Sequence, residues 1–197
     1  KAILETAGRE HCDLIVVGAA RDQGLGRINL GQIVENLIRR APTSVLVVKT
    51  RPSGAYRHIL VGTDFTEEAR YGLSVAAHLF PEALFAVMHA FDMPYRLLMT
   101  SSQLSRDFSA MELEEMKTLV QDADLPPKVR SGLVTLIEHG PPEQMIHKYV
   151  VEQNADLTVI GTIGRGVLFH LLIGGHAPRI VDATPSDILV VRAPSGA

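Results

Sequence analysis

Short apolar runs that end in turn residues alternate along most of this chain with segments of helical periodicity. The run Ile59–Val61, followed by Gly62, Thr63 and Asp64, is uniformly hydrophobic, which is typical of a strand buried on both faces. Similar runs predict four further strands, and apolar residues at helical spacing predict helices between them. The predicted strands span residues 59–64, 83–91, 133–138, 157–161 and 187–192, and the predicted helices begin near residues 66, 101, 141 and 174.

This alternation predicts an α/β fold with an open parallel five-stranded sheet, right-handed crossovers and helices on both faces. Thr66 is a candidate N-cap for the first helix, because Glu67 and Glu68 follow in its first turn. The long helix ending near Asp122 carries an apolar stripe that we interpret as core packing. The stripe consists of Leu104, Phe108, Met111, Met116, Leu119 and Val120, and we interpret Glu112, Glu114 and Glu115 as a solvated face. Pro126-Pro127 is expected to end this region.

The end of the chain repeats its beginning without a gap. Asp13-Leu14-Ile15-Val16-Val17-Gly18 returns as Asp156-Leu157-Thr158-Val159-Ile160-Gly161, at an offset of 143 residues (161 minus 18). The same offset relates Leu46-Val47-Val48-Lys49 to Leu189-Val190-Val191-Arg192. A constant offset over about forty residues indicates a duplicated structural unit.

The repeat predicts the domain organisation. Residues 1–50 correspond to the C-terminal portion of a first unit, 51–55 to a linker, and 56–197 to a complete second unit. Residue 1 falls opposite residue 144, so we expect the first unit to lack about 88 residues (144 minus 56). Residues 44–49 and 187–192 are predicted to pair antiparallel across a pseudo-twofold axis, because equivalent apolar edges would otherwise remain unpaired. The partner is either the other unit of the same chain or a second copy in a homo-oligomer.

Composition narrows the class of protein. A formal net charge of −3 gives no electrostatic case for nucleic acid or anionic membrane as a partner. No apolar run approaches the roughly 20 residues of a membrane span. The single cysteine, Cys12, cannot form an internal disulfide, which is typical of a cytoplasmic protein, and we interpret it as packed where a helix turns into a strand.

A glycine-rich loop follows the fourth predicted strand of the complete unit. In open parallel sheets ligands bind beyond the carboxyl ends of the strands, where the strand order reverses. Glycines there let a phosphate approach the backbone, and a helix N-terminus favours negative charge. Asp64, on the same rim, can accept a hydrogen bond from a ribose or an adenine amine. The same glycines are also explained by tight turns, so this pattern alone leaves both interpretations open.

Together these elements resemble the universal stress protein family in its tandem two-domain form. Nucleotide-binding members carry Gly, two residues, Gly, nine residues, Gly and then Ser or Thr, and Gly161, Gly164 and Gly174 have that spacing. The resemblance covers essentially the whole chain and implies an adenine-nucleotide alpha-hydrolase-like, Rossmann-like fold. It also implies ATP as a ligand, with Mg²⁺ left open, at a site made of Thr63, Asp64, Ala90, Ile160, Gly161, Gly164, Arg165, Gly174, Gly175, His176 and Ala177.

By this resemblance Thr63 and Asp64 meet the adenine and ribose, Ala90 and Ile160 line the base pocket, and the remaining residues surround the phosphates. Gly175 departs from the pattern, because a hydroxyl residue stands there in the family. The lost hydrogen bond to a charged group costs roughly 1.5–3 kcal/mol, which weakens binding without abolishing it. In the first unit Arg21 and Gln32 replace the second glycine and the hydroxyl residue. We therefore assign it no nucleotide site.

No catalytic or metal site is predicted. The chain has no Walker-type P-loop, no paired histidines at helical spacing and no recognisable nucleophile–base motif, so we expect a non-enzymatic protein. The leading hypothesis is a stress-linked regulator whose complete unit binds ATP without rapid turnover. The alternative is an interaction or assembly module that binds no nucleotide, and a slow ATPase is a third possibility.

Overall fold

The structure is a computed structural model that describes residues 2–19, 32–51, 54–91, 102–162 and 176–193. Its elements follow one another as α1 (Ala2–Arg9), β1 (Leu14–Gly18), α2 (Gln32–Arg40), β2 (Ser44–Val48), β3 (His58–Thr63), α3 (Glu67–Leu79), β4 (Leu84–Phe91), α4 (Ser102–Asp122), α5 (Pro127–Gly132), β5 (Val134–His139), α6 (Pro142–Gln153), β6 (Leu157–Thr162), α7 (His176–Ala183) and β7 (Asp187–Arg192).

The seven strands form one sheet in the order β1-β2-β7-β6-β3-β4-β5. Strands β7, β6, β3, β4 and β5 run parallel to one another, which confirms the predicted α/β fold with a five-stranded parallel sheet. From β3 the chain first builds outward through β4 and β5, then crosses to the other side and builds β6 and β7. The strand order therefore reverses between β3 and β6.

Helices cover both faces of this sheet, as the apolar strands require. One core contains residues of α1, α2, α6 and α7, and the other contains residues of α3, α4 and α5. Leu60, Leu157 and Val159 are fully buried. Thr66 caps α3 as predicted, because its Oγ1 accepts a hydrogen bond of 3.3 Å from the amide of Ala69.

The long helix α4 ends before Pro126-Pro127 as predicted, but the short helix α5 that begins at Pro127 was not predicted; a proline at the first helical position costs no backbone hydrogen bond. Two local expectations were wrong. On α4 Met111 is 53% exposed whereas Glu112 is only 4% exposed, so the buried stripe passes through the carboxylate. Cys12 is exposed rather than packed, because β1 beside it lies at the edge of the sheet.

The predicted antiparallel pairing is confirmed within a single chain. Val45, Leu46 and Val47 of β2 pair with Val190, Leu189 and Ile188 of β7. The two copies thus join their sheets edge to edge.

A reciprocal pair of basic residues accompanies this junction. Lys49 Nζ donates to the carbonyl oxygens of Val181 and Thr184 at the end of α7. At the symmetry-related place Arg192 Nη2 donates over 3.0 Å to the carbonyl oxygen of Ile38, near the end of α2. Both pairs are related by the 143-residue offset. In each repeat a basic residue at or just after the end of the last strand therefore donates to free carbonyl oxygens near the C-terminal end of a helix in the other repeat. Its positive charge also lies near the negative end of that helix dipole.

Asp187 ties the junction to the start of β3. Its Oδ1 accepts hydrogen bonds from the amides of Lys49 and Thr50 at 2.7 and 2.9 Å and from the Thr50 hydroxyl at 3.0 Å. Its Oδ2 accepts from the Tyr56 hydroxyl at 2.7 Å. Burial lowers the pKa of Lys49 to about 8, against the opposing attraction of Asp182 and Asp187.

Strand β1 lies at the edge of the sheet, beside β2 alone. Its Val16 is 61% exposed, whereas the equivalent Val159 of the central strand β6 is completely buried. Equivalent positions of the repeat thus differ in burial, because Val159 packs in the core with α3, α4 and α5, whereas Val16 packs in neither core. Among the described residues no helix is long and apolar enough to cross a membrane.

Candidate functional site

The predicted site lies where the strand order reverses. Gly62 pairs with Ile160, so the chain leaves β3 at Asp64 directly beside the point where it leaves β6. Ala90 lies at the end of the adjacent strand β4. The structure therefore brings five predicted residues to one rim, namely Thr63, Asp64, Ala90, Ile160 and Gly161. Gly164, Arg165, Gly174 and Gly175 lie outside the described residues, while His176 and Ala177 begin α7.

Within the described residues, one carboxylate oxygen of Asp64 accepts hydrogen bonds and the other accepts none. Its Oδ1 accepts from the amide of Thr66 at 3.2 Å and from the Thr66 hydroxyl at 2.5 Å, which closes a turn before α3. Its Oδ2 is buried and accepts no hydrogen bond within the described part of the chain. A buried carboxylate oxygen without a donor is energetically costly, and a ligand N–H or O–H would satisfy it.

Gly161 has a packing role that the glycine spacing did not predict. A Cβ atom on this residue would lie 2.8 Å from the carbonyl oxygen of Glu68 and 2.9 Å from the amide nitrogen of Ala69. The first turn of α3 therefore rests directly on the end of β6. Gly72, one turn further along α3, faces the same residue, since its own Cβ would lie 3.7 Å from the Gly161 Cα.

Ala90 and Ile160 lie on the face of the sheet that packs against α6 and α7. Between their strands Gly62 has no side chain, and a Cβ there would lie 3.6 Å from a methyl group of Ile160. Small and apolar residues thus line this face near the rim. That composition suits the flat apolar ring of a base, although the base pocket itself stays a prediction.

Two aromatic rings beside Asp64 were not predicted as part of the site. Phe65 has a φ of 64°, a left-handed conformation that costs a bulky residue of this type roughly 1–3 kcal/mol. Its ring lies against the imidazole of His89, with centroids 4.2 Å apart. Strained backbone of this kind persists only where surrounding contacts hold it, and it is concentrated at functional sites.

His89 is in turn contacted by Glu112 of α4. The distance from His89 Nε2 to Glu112 Oε1 is 3.7 Å, and both side chains are largely buried. Burial, reinforced by the charge of Glu115, raises the pKa of Glu112. A signal for this pair was present in the sequence, because Glu112 lies four residues from both Phe108 and Met116 on the apolar stripe. The interpretation of Glu112 as part of a solvated face is therefore wrong.

Among the residues that the structure describes, no cluster of three or more histidine, cysteine or acidic side chains could hold a metal ion.

Comparison with known proteins identifies the family. The model of the universal stress protein family matches residues 1–49 and 55–192. The chain belongs to the universal stress protein family. It is 24% identical over 212 residues to the universal stress protein E homolog of Haemophilus influenzae, an alignment that covers 97% of this chain and 65% of that protein. The chain thus spans slightly less than two thirds of this relative.

Solved structures agree with that assignment. A functionally unknown protein from Pseudomonas aeruginosa superimposes with a TM-score of 0.74 at 28% identity, covering 98% of this chain and 67% of its own. A universal stress protein from Archaeoglobus fulgidus has a TM-score of 0.71 at 17% identity, covering 97% and 65%. At that identity the second match shows the shared fold alone. The predicted resemblance of this universal stress protein chain to its family is therefore confirmed.

Proposed function

We propose that the unit spanning residues 56–197 binds an adenine nucleotide, ATP, at the carboxyl ends of β3 and β6 and does not turn it over rapidly. The observation that carries this proposal is Oδ2 of Asp64, a buried acceptor with no donor among the described residues. An adenine amine or a ribose hydroxyl would supply that donor.

The position of Asp64 supports the same ligand. It lies at the point of strand-order reversal, where open α/β sheets bind nucleotides. Gly161, Gly164 and Gly174 have the spacing of nucleotide-binding family members, and α7 begins directly after this loop. A helix N-terminus in that place would attract phosphate through its free N–H groups.

Slow turnover is proposed because the residues near the site offer little for phosphoryl transfer. Fast hydrolysis requires groups that stabilise the charge of the transferring phosphoryl group and that orient the attacking water. The chain has no Walker-type motif to supply them. Binding without rapid turnover suits a regulator that reports the nucleotide state of the cell.

The sharpest test uses Asp64→Asn. This change keeps an oxygen to accept from Thr66 but replaces Oδ2 with an amide that donates. It should therefore repel the ligand donor while the turn stays closed. Loss of a hydrogen bond to a charged group costs roughly 1.5–3 kcal/mol, so isothermal titration should show ATP binding weakened about tenfold to a hundredfold.

Thr66→Ala is the matched control. It removes the hydroxyl that bonds to Oδ1 and the helix cap, but it leaves Oδ2 unchanged. We expect a smaller loss of ATP affinity than with Asp64→Asn. Equal losses in the two variants would show that the turn, rather than Oδ2, determines binding.

The phosphate side is tested by two glycine variants. Gly164→Val should weaken ATP binding by blocking approach to the backbone, whereas Gly175→Ser should tighten it by restoring the hydroxyl, if the backbone there has a negative φ. No detectable heat at high micromolar ATP, even with Gly175→Ser, would refute nucleotide binding. The interaction module would then be the better description.

A further inference from the structure

His89 makes contacts on both sides of Asp64. In the parallel register His89 pairs with Thr63, and its Nδ1 donates to the Thr63 carbonyl oxygen over 2.8 Å. Because a carbonyl oxygen can only accept, Nδ1 carries the proton. The face of the same imidazole supports the ring of Phe65, 4.2 Å away. One side chain thus contacts the residue before Asp64 and the residue after it.

The turn that His89 contacts is held in a single, unusual conformation. The amide of Phe65 donates to Thr63 Oγ1 at 3.0 Å, and the amide of Thr66 donates to Asp64 Oδ1 at 3.2 Å. Between these bonds Phe65 has the left-handed φ of 64°. Without support from outside, the turn would relax to an ordinary negative φ and rotate Asp64 with it.

Glu112 supports His89 from the helix side. Because Nδ1 is occupied by Thr63, the Nε2 edge faces Glu112 Oε1 at 3.7 Å. Glu112 Oε2 is buried and has no hydrogen-bond partner among the described residues. Glu115, on the same helix, acts on Glu112 through its charge.

We propose that His89 is the positioning residue for Asp64: it holds the turn from Thr63 to Thr66 in the strained conformation that keeps Oδ2 in place for a ligand, and Glu112 orients its ring. The consequence for nucleotide affinity rests on the function proposed above. His89 is not proposed to touch the nucleotide, and it acts through the turn.

A matched pair of substitutions tests this role. In His89→Asn the side-chain amide nitrogen takes the place of Nδ1 and can still donate to Thr63. In His89→Gln the amide lies near the former Nε2 and reaches towards Glu112 instead. Both variants lose the ring that supports Phe65, so Asn keeps only the contact to the turn and Gln keeps only the contact towards Glu112. His78→Ala is the control, because exposed His78 also donates Nδ1 to a backbone carbonyl, that of Ser74, at 2.9 Å.

Two measurements are made on each variant. Hydrogen exchange read by mass spectrometry on peptides covering residues 60–70 reports the amides of Phe65 and Thr66. We expect exchange in this segment about tenfold faster in His89→Gln than in His89→Asn, with other segments unchanged and His78→Ala like wild type. ATP affinity should follow the same order, with Gln about tenfold weaker than Asn.

The outcomes separate this proposal from nucleotide binding itself. If wild type binds no ATP, the function proposed above fails, while the exchange data still decide whether His89 holds the turn. Equal exchange in the Asn and Gln variants would overturn the positioning role, whatever ATP does. Uniformly faster exchange along the whole chain in His89→Gln would also overturn it, because it would show general destabilisation rather than a local role.

Discussion

Replacing Gly161 by alanine tests how closely α3 packs on the sheet. The added Cβ would lie 2.8 Å from the Glu68 carbonyl oxygen and 2.9 Å from the Ala69 amide nitrogen. Both obstacles are backbone atoms of a helix, so no side-chain rotation relieves the contact. Overpacking of this kind costs about 1–3 kcal/mol of unfolding free energy.

The repeat supplies a matched control in Gly18→Ala. Gly18 is related to Gly161 by the 143-residue offset and also ends a strand, but a Cβ there has no neighbour within 4 Å. Both substitutions reduce the entropy of the unfolded chain, which by itself stabilises by about 0.4–1 kcal/mol. This contribution cancels in the comparison, so the difference between the two variants measures the steric contact alone.

Urea denaturation followed by far-UV circular dichroism gives both free energies by linear extrapolation. We expect Gly18→Ala to match or slightly exceed wild type and Gly161→Ala to fall about 1–3 kcal/mol below Gly18→Ala. The first turn of α3 follows Thr66, so ATP binding should weaken in Gly161→Ala as well. A difference below about 0.5 kcal/mol between the two variants would refute the close packing of α3 on β6.

Three further predictions concern the junction between the repeats. Burial lowers the pKa of Lys49 from its ordinary value of 10.5 to about 8. Between these two pH values the unfolded chain therefore binds more protons than the folded chain. The stability of wild type relative to Lys49→Met should therefore rise by about 2 kcal/mol between pH 7 and pH 10, and a flat difference would contradict the buried charge. Asp187→Ala should lower the unfolding free energy measured in urea by about 3 kcal/mol, because it removes the acceptor for four donors. Ser44→Ala, at the equivalent position of the first repeat, loses only the bond from the amide of Arg192 and should cost about 1 kcal/mol. An isolated peptide of residues 1–50 should show no cooperative thermal transition by circular dichroism, because β1 and β2 alone cannot bury both faces of a sheet, and a sharp transition would refute this.

Much of the fold could be predicted because local signals agreed with the global architecture. Uniformly apolar runs indicated strands buried on both faces, and the structure places all five strands predicted between residues 56 and 197 within about two residues of the predicted bounds. The 143-residue repeat predicted the antiparallel junction of β2 with β7, since two equivalent apolar edges have each other as natural partners. Even helix ends repeat, because His11 and Asn154, 143 residues apart, both adopt a left-handed φ near 50°.

Within the candidate site the sequence indicated backbone features better than side-chain contacts. Asp64 and Gly161 were predicted to share a rim because each ends a predicted strand and the carboxyl ends of these strands meet at one edge of the sheet. The reason for glycine at position 161 was not predictable, since the atoms that exclude a Cβ belong to a helix more than ninety residues earlier. Proximity across such a separation leaves no local trace in the sequence.

The sequence by itself therefore determined the fold class and the duplication, because periodicity, turn residues and a constant offset can be read directly from the chain. It also predicted the edge of the sheet where we propose that a ligand binds. Only the tertiary structure decided which equivalent positions are buried. Val16 and Val159 occupy equivalent positions of the repeat but have opposite exposure, because Val159 packs in the core that α3, α4 and α5 form with the sheet and Val16 packs in neither core. The tertiary structure likewise decided that Glu112 faces His89 rather than solvent. The helical pattern predicts which residues share a face of α4, but only the packing of the helix decides what that face contacts.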